Sequence, residues 1–181
     1  MKQTILIAGI GGQGVQVLGK LLAYCATMQG FQVTMDAKYS GNMRGAPSNC
    51  TVIISDRMIG NPVERMNDHL IVFSQEALNK LLHRVLPEGV VLRDTTLAPN
   101  VPDGRSDIAF DGCPATTLAE SLGEVRCANI VMAGYLAEHL SFLDSDVMRS
   151  CLNTVLGKKP QFMELNYAAF DRGVQYARTG K

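Results

Sequence analysis

The sequence predicts an α/β fold, a mostly parallel, doubly wound sheet followed by a helical C-terminal part. Three observations carry the prediction. Residues 5–14 (ILIAGIGGQG) form an apolar run that turns through four glycines straight into a helical pattern. Strand-like runs then alternate with helical ones to about residue 110, and from Thr116 the periodicity is helical to the end. That order of elements belongs to parallel sheets wrapped by helices.

Ile5, Leu6, Ile7 and Ala8 are apolar without alternation, which is the signature of a strand buried on both faces. Val15, Leu18, Leu22, Cys25 and Ala26 recur at steps of three and four, so a helix follows with one face on the sheet. Gly30 is the expected stop of that helix, and residues 31–36 read as the second strand of a βαβ unit. Residues 37–49 (AKYSGNMRGAPSN) lack apolar periodicity and are expected to be a loop. Strands are expected at 50–55, 68–74, 90–92 and 108–110. A helix is expected over 75–86, with Leu78, Leu81, Leu82 and Val85 on its buried side and with Pro87 and Gly89 closing it. One or two helices interrupted near Gly123, another capped by Asp144 and running to about Leu156, and a last one over 167–177 complete the chain. With 181 residues and no linker or repeat, residues 1–181 are expected to form one domain.

Composition narrows the function. Lys and Arg number 17 and so do Asp and Glu, so no net field draws the chain to nucleic acid or to an anionic membrane. The apolar runs are too short for a spanning helix. Cys25, Cys50, Cys113, Cys127 and Cys151 are far apart, and none stands at metal-ligand spacing from another cysteine or a histidine. Their odd number and the absence of a signal-peptide pattern lead to the expectation of reduced thiols in the cytoplasm.

Gly9, Gly11 and Gly14 satisfy G-x-G-x-x-G between a strand and a helix, with Gly12 and Gln13 inside the turn, which makes the fold Rossmann-like. Such a turn either allows tight strand-to-helix packing or cradles an anion on the N–H groups of the helix start. A dinucleotide reading would use Asp36 to hold the ribose. A phosphate-binding loop of the G-x-x-x-x-G-K type fails, because Leu21 stands where a Ser or Thr should and Gly19 and Lys20 lie within the helix. In the second loop Tyr39, Asn42, Arg44 and Asn49 are donors set near Gly45. At the carboxyl edge of the sheet they would face the glycine loop across the ligand crevice, with Arg44 able to fork onto a phosphate or carboxylate. His69, His83 and His139 lack partner motifs, and Ser40, Ser48 and Ser74 lack a nucleophile elbow. No complete active site is legible.

The two loops together are more specific. Residues 9–15 (GIGGQGV) with Gly19, residues 39–45 (YSGNMRG), then Asn49, Cys50 and 52–56 (VIISD) resemble the gamma subunit of 2-oxoacid:ferredoxin oxidoreductases. Residues 129–134 (NIVMAG) and 166–173 (NYAAFDRG) extend the resemblance over nearly the whole chain. Ala46 and Pro47 depart from the family, which commonly has a second glycine there.

The resemblance implies a subunit of a complex that oxidises a 2-oxoacid with coenzyme A to acyl-CoA and CO2 and passes electrons to ferredoxin. It implies alpha and beta partners, with a ferredoxin-like delta subunit in some complexes. Thiamine diphosphate, Mg2+ and iron–sulfur clusters would then sit on those other subunits. Coenzyme A phosphates, or a neighbouring subunit, are expected to meet Gly9, Gly11, Gly12, Gln13, Gly14, Tyr39, Asn42, Arg44, Gly45 and Asn49. The related indolepyruvate enzymes carry a similar domain, and an isolated chain is a candidate homodimer.

Overall fold

A computed structural model describes residues 1–39, 45–157 and 160–181, the side chain of Tyr39 excepted. Asn42 and Arg44 lie outside the described residues. The strands are β1 (Lys2–Ile10), β2 (Gln32–Tyr39), β3 (Pro47–Ser55), β4 (Asn67–Val72), β5 (Val85–Asp94) and β6 (Ala109–Cys113), in one sheet of order β2-β3-β1-β4-β5-β6. The helices are α1 (Val15–Met28), α2 (Gln75–Leu81), α3 (Ala115–Ser121), α4 (Ala128–His139), α5 (Ser145–Leu156) and α6 (Met163–Thr179). The α/β class, the mostly parallel sheet and the helical C-terminal part are as the sequence predicts.

Three local expectations need correction. First, β2 does not lie beside β1: β3 runs antiparallel between them, pairing Ile5 with Val52 on one side and Val52 with Met35 on the other. The βαβ unit therefore has a reversed strand inserted in it. Second, the expected loop is shorter than 37–49, since Ala37 to Tyr39 belong to β2 and Pro47 to Asn49 to β3. Third, the helix over 75–86 stops at Leu81, tightens into a 3-10 turn at Leu82–Arg84, and gives way to β5. Val85, Pro87 and Gly89 are thus strand residues. Leu78, Leu82 and Val85 are buried in one apolar cluster as expected, which is why helical spacing could not mark the boundary.

Burial on both faces follows the pattern of β1. Ile5 and Ile7 join the large cluster under α1, α3, α4, α5 and α6, whereas Leu6 and Ala8 join the smaller one under α2. The winding is double but unequal. Caps hold the helix ends: Ser74 Oγ accepts from Ala77 N–H at 3.2 Å, and Asp144 Oδ1 accepts from Val147 N–H at 2.9 Å. Gly30, at φ 85°, ends α1 in a Schellman arrangement, with Phe31 N–H on Ala26 O at 3.1 Å and Gly30 N–H on Thr27 O at 3.0 Å.

In α4 every residue from Asn129 to Ala137 is buried. It packs against α6 through two facing glycines. A Cβ at Gly134 would overlap the Phe170 carbonyl oxygen, and one at Gly173 would overlap the Val131 carbonyl oxygen. Backbone cannot step aside as a side-chain tip can, so this crossing tolerates no methyl. Gly134→Ala and Gly173→Ala are each expected to cost about 1–3 kcal/mol through overpacking. Thermal melting checks this, and an unchanged midpoint for both would contradict the close crossing.

Candidate functional site at the carboxyl edge of the sheet

The glycine loop leaves β1 at its carboxyl end and enters α1 through Gly14, whose φ of 75° is left-handed. A side chain there would be strained, and its Cβ would also run into the Asn129 side chain. Asn129, on α4, donates Nδ2 to Gly14 O at 3.4 Å. Gln13 folds back across the turn: its Oε1 accepts from Ile10 N–H at 2.8 Å and its Nε2 donates to Phe73 O at 2.7 Å. Gly9 has no room for a side chain, because Gln13 Oε1, Phe73 and Val15 occupy it. One amide thus ties the end of β1, the start of α1 and the residue after β4 into a unit.

The described end of the second loop, Gly45 and Ala46, is bonded directly to the first. Gly11 N–H donates to Ala46 O at 2.8 Å, and Gly45 N–H donates to Gly11 O at 3.3 Å. Gln16 on α1 reaches the same strand entry, donating Nε2 to Asn49 O at 2.9 Å and lying 3.3 Å from Ser48 Oγ. Of the donors expected at the helix start, the Gly11 N–H is therefore committed to Ala46, and Gln13 N–H bonds Ile10 O at 3.2 Å. The N–H groups of Gly12, Gly14, Val15, Gln16 and Val17 meet no acceptor among the described residues. Such a row is where a helix offers partial positive charge.

Two hollows flank the loop. The one on the α2 side, about 210 Å³, is bounded by Gly9, Gly45, Ser48, Asn49, Ser74 and Lys80. The other, about 270 Å³, is bounded by Gly12, Gln13, Phe73, Leu97, Thr116 and Arg126. Arg126 forks onto Glu124, with Nε to Oε1 at 2.9 Å. This guanidinium holds the Glu124 carboxyl down at about 2. Arg126, Thr116 and Gln16 were missed by sequence reasoning, and Asn129 was marked only as the first residue of the 129–134 stretch, with no role at the site. Among the expected residues, Gly9, Gly11, Gly12, Gln13, Gly14, Gly45 and Asn49 come together here, as does the backbone end of β2 at Tyr39.

The nucleotide reading of Asp36 loses its geometry. Asp36 pairs in register with Thr51 of β3, one strand removed from β1, and Thr51 in turn stands opposite Leu6 on the face away from α1. Its carboxylate lies 3.3 Å from Lys38 Nζ. Among the described residues no three His, Cys, Asp or Glu side chains gather as a metal-ligand set. All five cysteines are buried, and burial pushes the Cys25 and Cys50 thiols up to about 12. No helix among the described residues is long and apolar enough to cross a membrane.

Residues 4–176 match the family described as pyruvate ferredoxin/flavodoxin oxidoreductase. The chain belongs to this family. Within it, the chain is 31% identical over 96% of its length to the ketoisovalerate oxidoreductase subunit VorA of Methanothermobacter thermautotrophicus, of which it spans only 36%. It is 31% identical to the 2-oxoglutarate synthase subunit KorC of Archaeoglobus fulgidus, over 97% of this chain and 88% of that one. The crystal structure of the gamma subunit of a keto/oxoacid ferredoxin oxidoreductase from Geobacter sulfurreducens superposes with a TM-score of 0.82 at 27% identity, covering 97% of this chain and 98% of that one. The fold is thus shared with that gamma subunit over nearly the full chain.

Removing the Gln13 amide would leave the Ile10 N–H and the Phe73 carbonyl unpaired. Gln13→Ala is expected to cost about 1–3 kcal/mol and to speed hydrogen exchange at the Ile10 amide. Exchange there as slow as in the parent chain would show that the amide does not hold the turn.

Proposed function

We propose that this chain is the gamma-type subunit of a 2-oxoacid:ferredoxin oxidoreductase. The complex would oxidise a 2-oxoacid with coenzyme A to acyl-CoA and CO2, with ferredoxin taking the electrons. The observation that carries the reading is family membership over residues 4–176, together with a near end-to-end match to a KorC subunit. Alpha and beta subunits are the partners in this reading, with a ferredoxin-like delta subunit as a further one. The buried, dispersed cysteines support assigning the iron–sulfur clusters to those partners, and thiamine diphosphate with its Mg2+ goes with them. The cytoplasm, where thiols stay reduced, is the compartment that fits.

This chain's own contribution would be at the carboxyl edge. Coenzyme A carries phosphates, and the amides of Gly12 and of the first turn of α1 are suited to an anion. Arg44 would add a guanidinium from the second loop, with Gly9, Gly11, Gln13, Gly14, Gly45 and Asn49 holding the two loops in place. Asn42 and Tyr39 belong to the same proposed contact. None of these residues performs bond making. They would hold and orient the thiol carrier while other subunits carry out the decarboxylation.

Purification of the tagged chain from its host without air is expected to bring down larger subunits and a 2-oxoacid-dependent, CoA-dependent viologen reduction. Recovery of the chain alone, under conditions that preserve such complexes, would overturn the reading. In the assembled enzyme, Arg44→Ala is expected to raise the KM for coenzyme A about tenfold or more, as loss of a charge-assisted bond would, with kcat little changed. An unaltered KM would move Arg44 from ligand contact to subunit contact.

A further inference from the structure

Arg126 borders two hollows. Besides the one it shares with Gly12, it bounds another of about 220 Å³ together with Glu124, Cys127, Leu156, Phe162 and Asn166. Leu156 ends α5, Phe162 immediately precedes α6, and Asn166 stands in the first turn of α6. Asn166 is only 8% exposed, yet its carboxamide meets just two sulfurs among the described residues. Cys127 Sγ lies 3.8 Å from Oδ1, and Met163 Sδ lies 4.0 Å from Nδ2. A thiol is a weak donor and a thioether a weak acceptor, whereas a buried amide ordinarily finds nitrogen or oxygen partners. Asn166 thus borders the hollow with the hydrogen-bonding capacity of its amide largely unspent.

We infer that this hollow is a nucleobase pocket that takes adenine. The Asn166 carboxamide matches the base as a bidentate partner, with Nδ2 donating to N7 and Oδ1 accepting from the N6 amino group. Guanine is refused, because its O6 sets an acceptor against Oδ1. The walls suit a flat ring. Phe162, 37% exposed, and Leu156 supply apolar surface, and Arg126 supplies a planar guanidinium held by its fork onto Glu124.

Size and surroundings agree with a base. Pockets for whole drug-sized ligands measure about 300–1,000 Å³, so a hollow of this size holds a ring system and leaves sugar and phosphate outside. The way out passes Arg126, whose side chain is 74% exposed and also borders the hollow at Gly12. A phosphate attached to the bound base therefore has a cation at the rim. The pocket does not depend on the oxidoreductase role. Adenine arrives either on coenzyme A or on a free nucleotide, and titration separates the two.

Isothermal titration of the full chain with adenosine monophosphate, inosine monophosphate and coenzyme A is the test. Inosine carries O6 where adenosine carries the amino group, so its monophosphate is expected to bind about tenfold or more weakly than that of adenosine. Coenzyme A binding more tightly than adenosine monophosphate assigns the base to coenzyme A, and equal affinity assigns it to a free nucleotide; both uphold the pocket. Phe162→Ala should weaken adenosine monophosphate about tenfold through the lost stacking face, with the thermal midpoint unchanged. Asn166→Ala, shown by melting to be folded, should bind the two monophosphates alike. Equal binding of both by the parent chain would overturn the inference. So would no binding of adenosine monophosphate at millimolar concentration, or a Phe162→Ala chain that binds it as the parent does.

Discussion

The reversed strand β3 is the constraint on which the carboxyl edge depends. Its nine-residue pairing with β1 does not stop at the sheet but continues as the two backbone bonds that join Gly11 to Gly45 and Ala46. Because those bonds fix the entry of β3 against the glycine turn, Gly45 and Ala46 form one surface with that turn. The same strand pushes β2 to the outside and removes Asp36 from the neighbourhood of the turn. A fold that resembles a dinucleotide binder in its first 36 residues thereby keeps Asp36, the candidate for holding a ribose, two strands away from its glycine loop.

Glycines serve this structure in two physically different ways. Gly14 and Gly30 supply left-handed backbone where α1 begins and ends. Gly19, Gly134 and Gly173 instead make room. A Cβ at Gly19 would come within 2.6 Å of Cys50 Sγ and 3.2 Å of Met35 Cε, so its absence lets α1 lie close on β3. The Gly134 and Gly173 pair lets α4 sink between the sheet and α6, and Asn129 at the head of α4 then reaches the Gly14 carbonyl. Packing in α6, at the far end of the chain, is in this way connected to the geometry of the loop. A rigid helical layer supports a surface whose chemistry is mostly backbone.

Much of this was legible in the sequence. The unbroken apolar run of β1, the periodic face of α1, the stop at Gly30 and the cap at Asp144 each state a local physical preference that the tertiary structure kept. What was not legible is pairing direction. Nothing in the composition of residues 47–55 distinguishes a strand running with β1 from one running against it. The end of α2 was hidden for a related reason, since Leu82 and Val85 bury on the same side whether the chain coils or extends. At the site, the glycines and Gln13 announced themselves by motif. Gln16 reaches it from the first turn of α1, and Arg126, Thr116 and Asn129 from elements about 100 residues further along the chain, so that only their convergence in space marks them.

Hydrogen exchange on the chain inside its purified complex, with and without coenzyme A, tests the role of the carboxyl edge most directly. Amides of residues 11–17 should gain protection on assembly or on addition of coenzyme A, while the outer surface of α6 stays as it is in the isolated chain. Protection confined to α6 or to β6, with residues 11–17 exchanging as freely as before, would contradict the placement of the functional surface at the glycine loop.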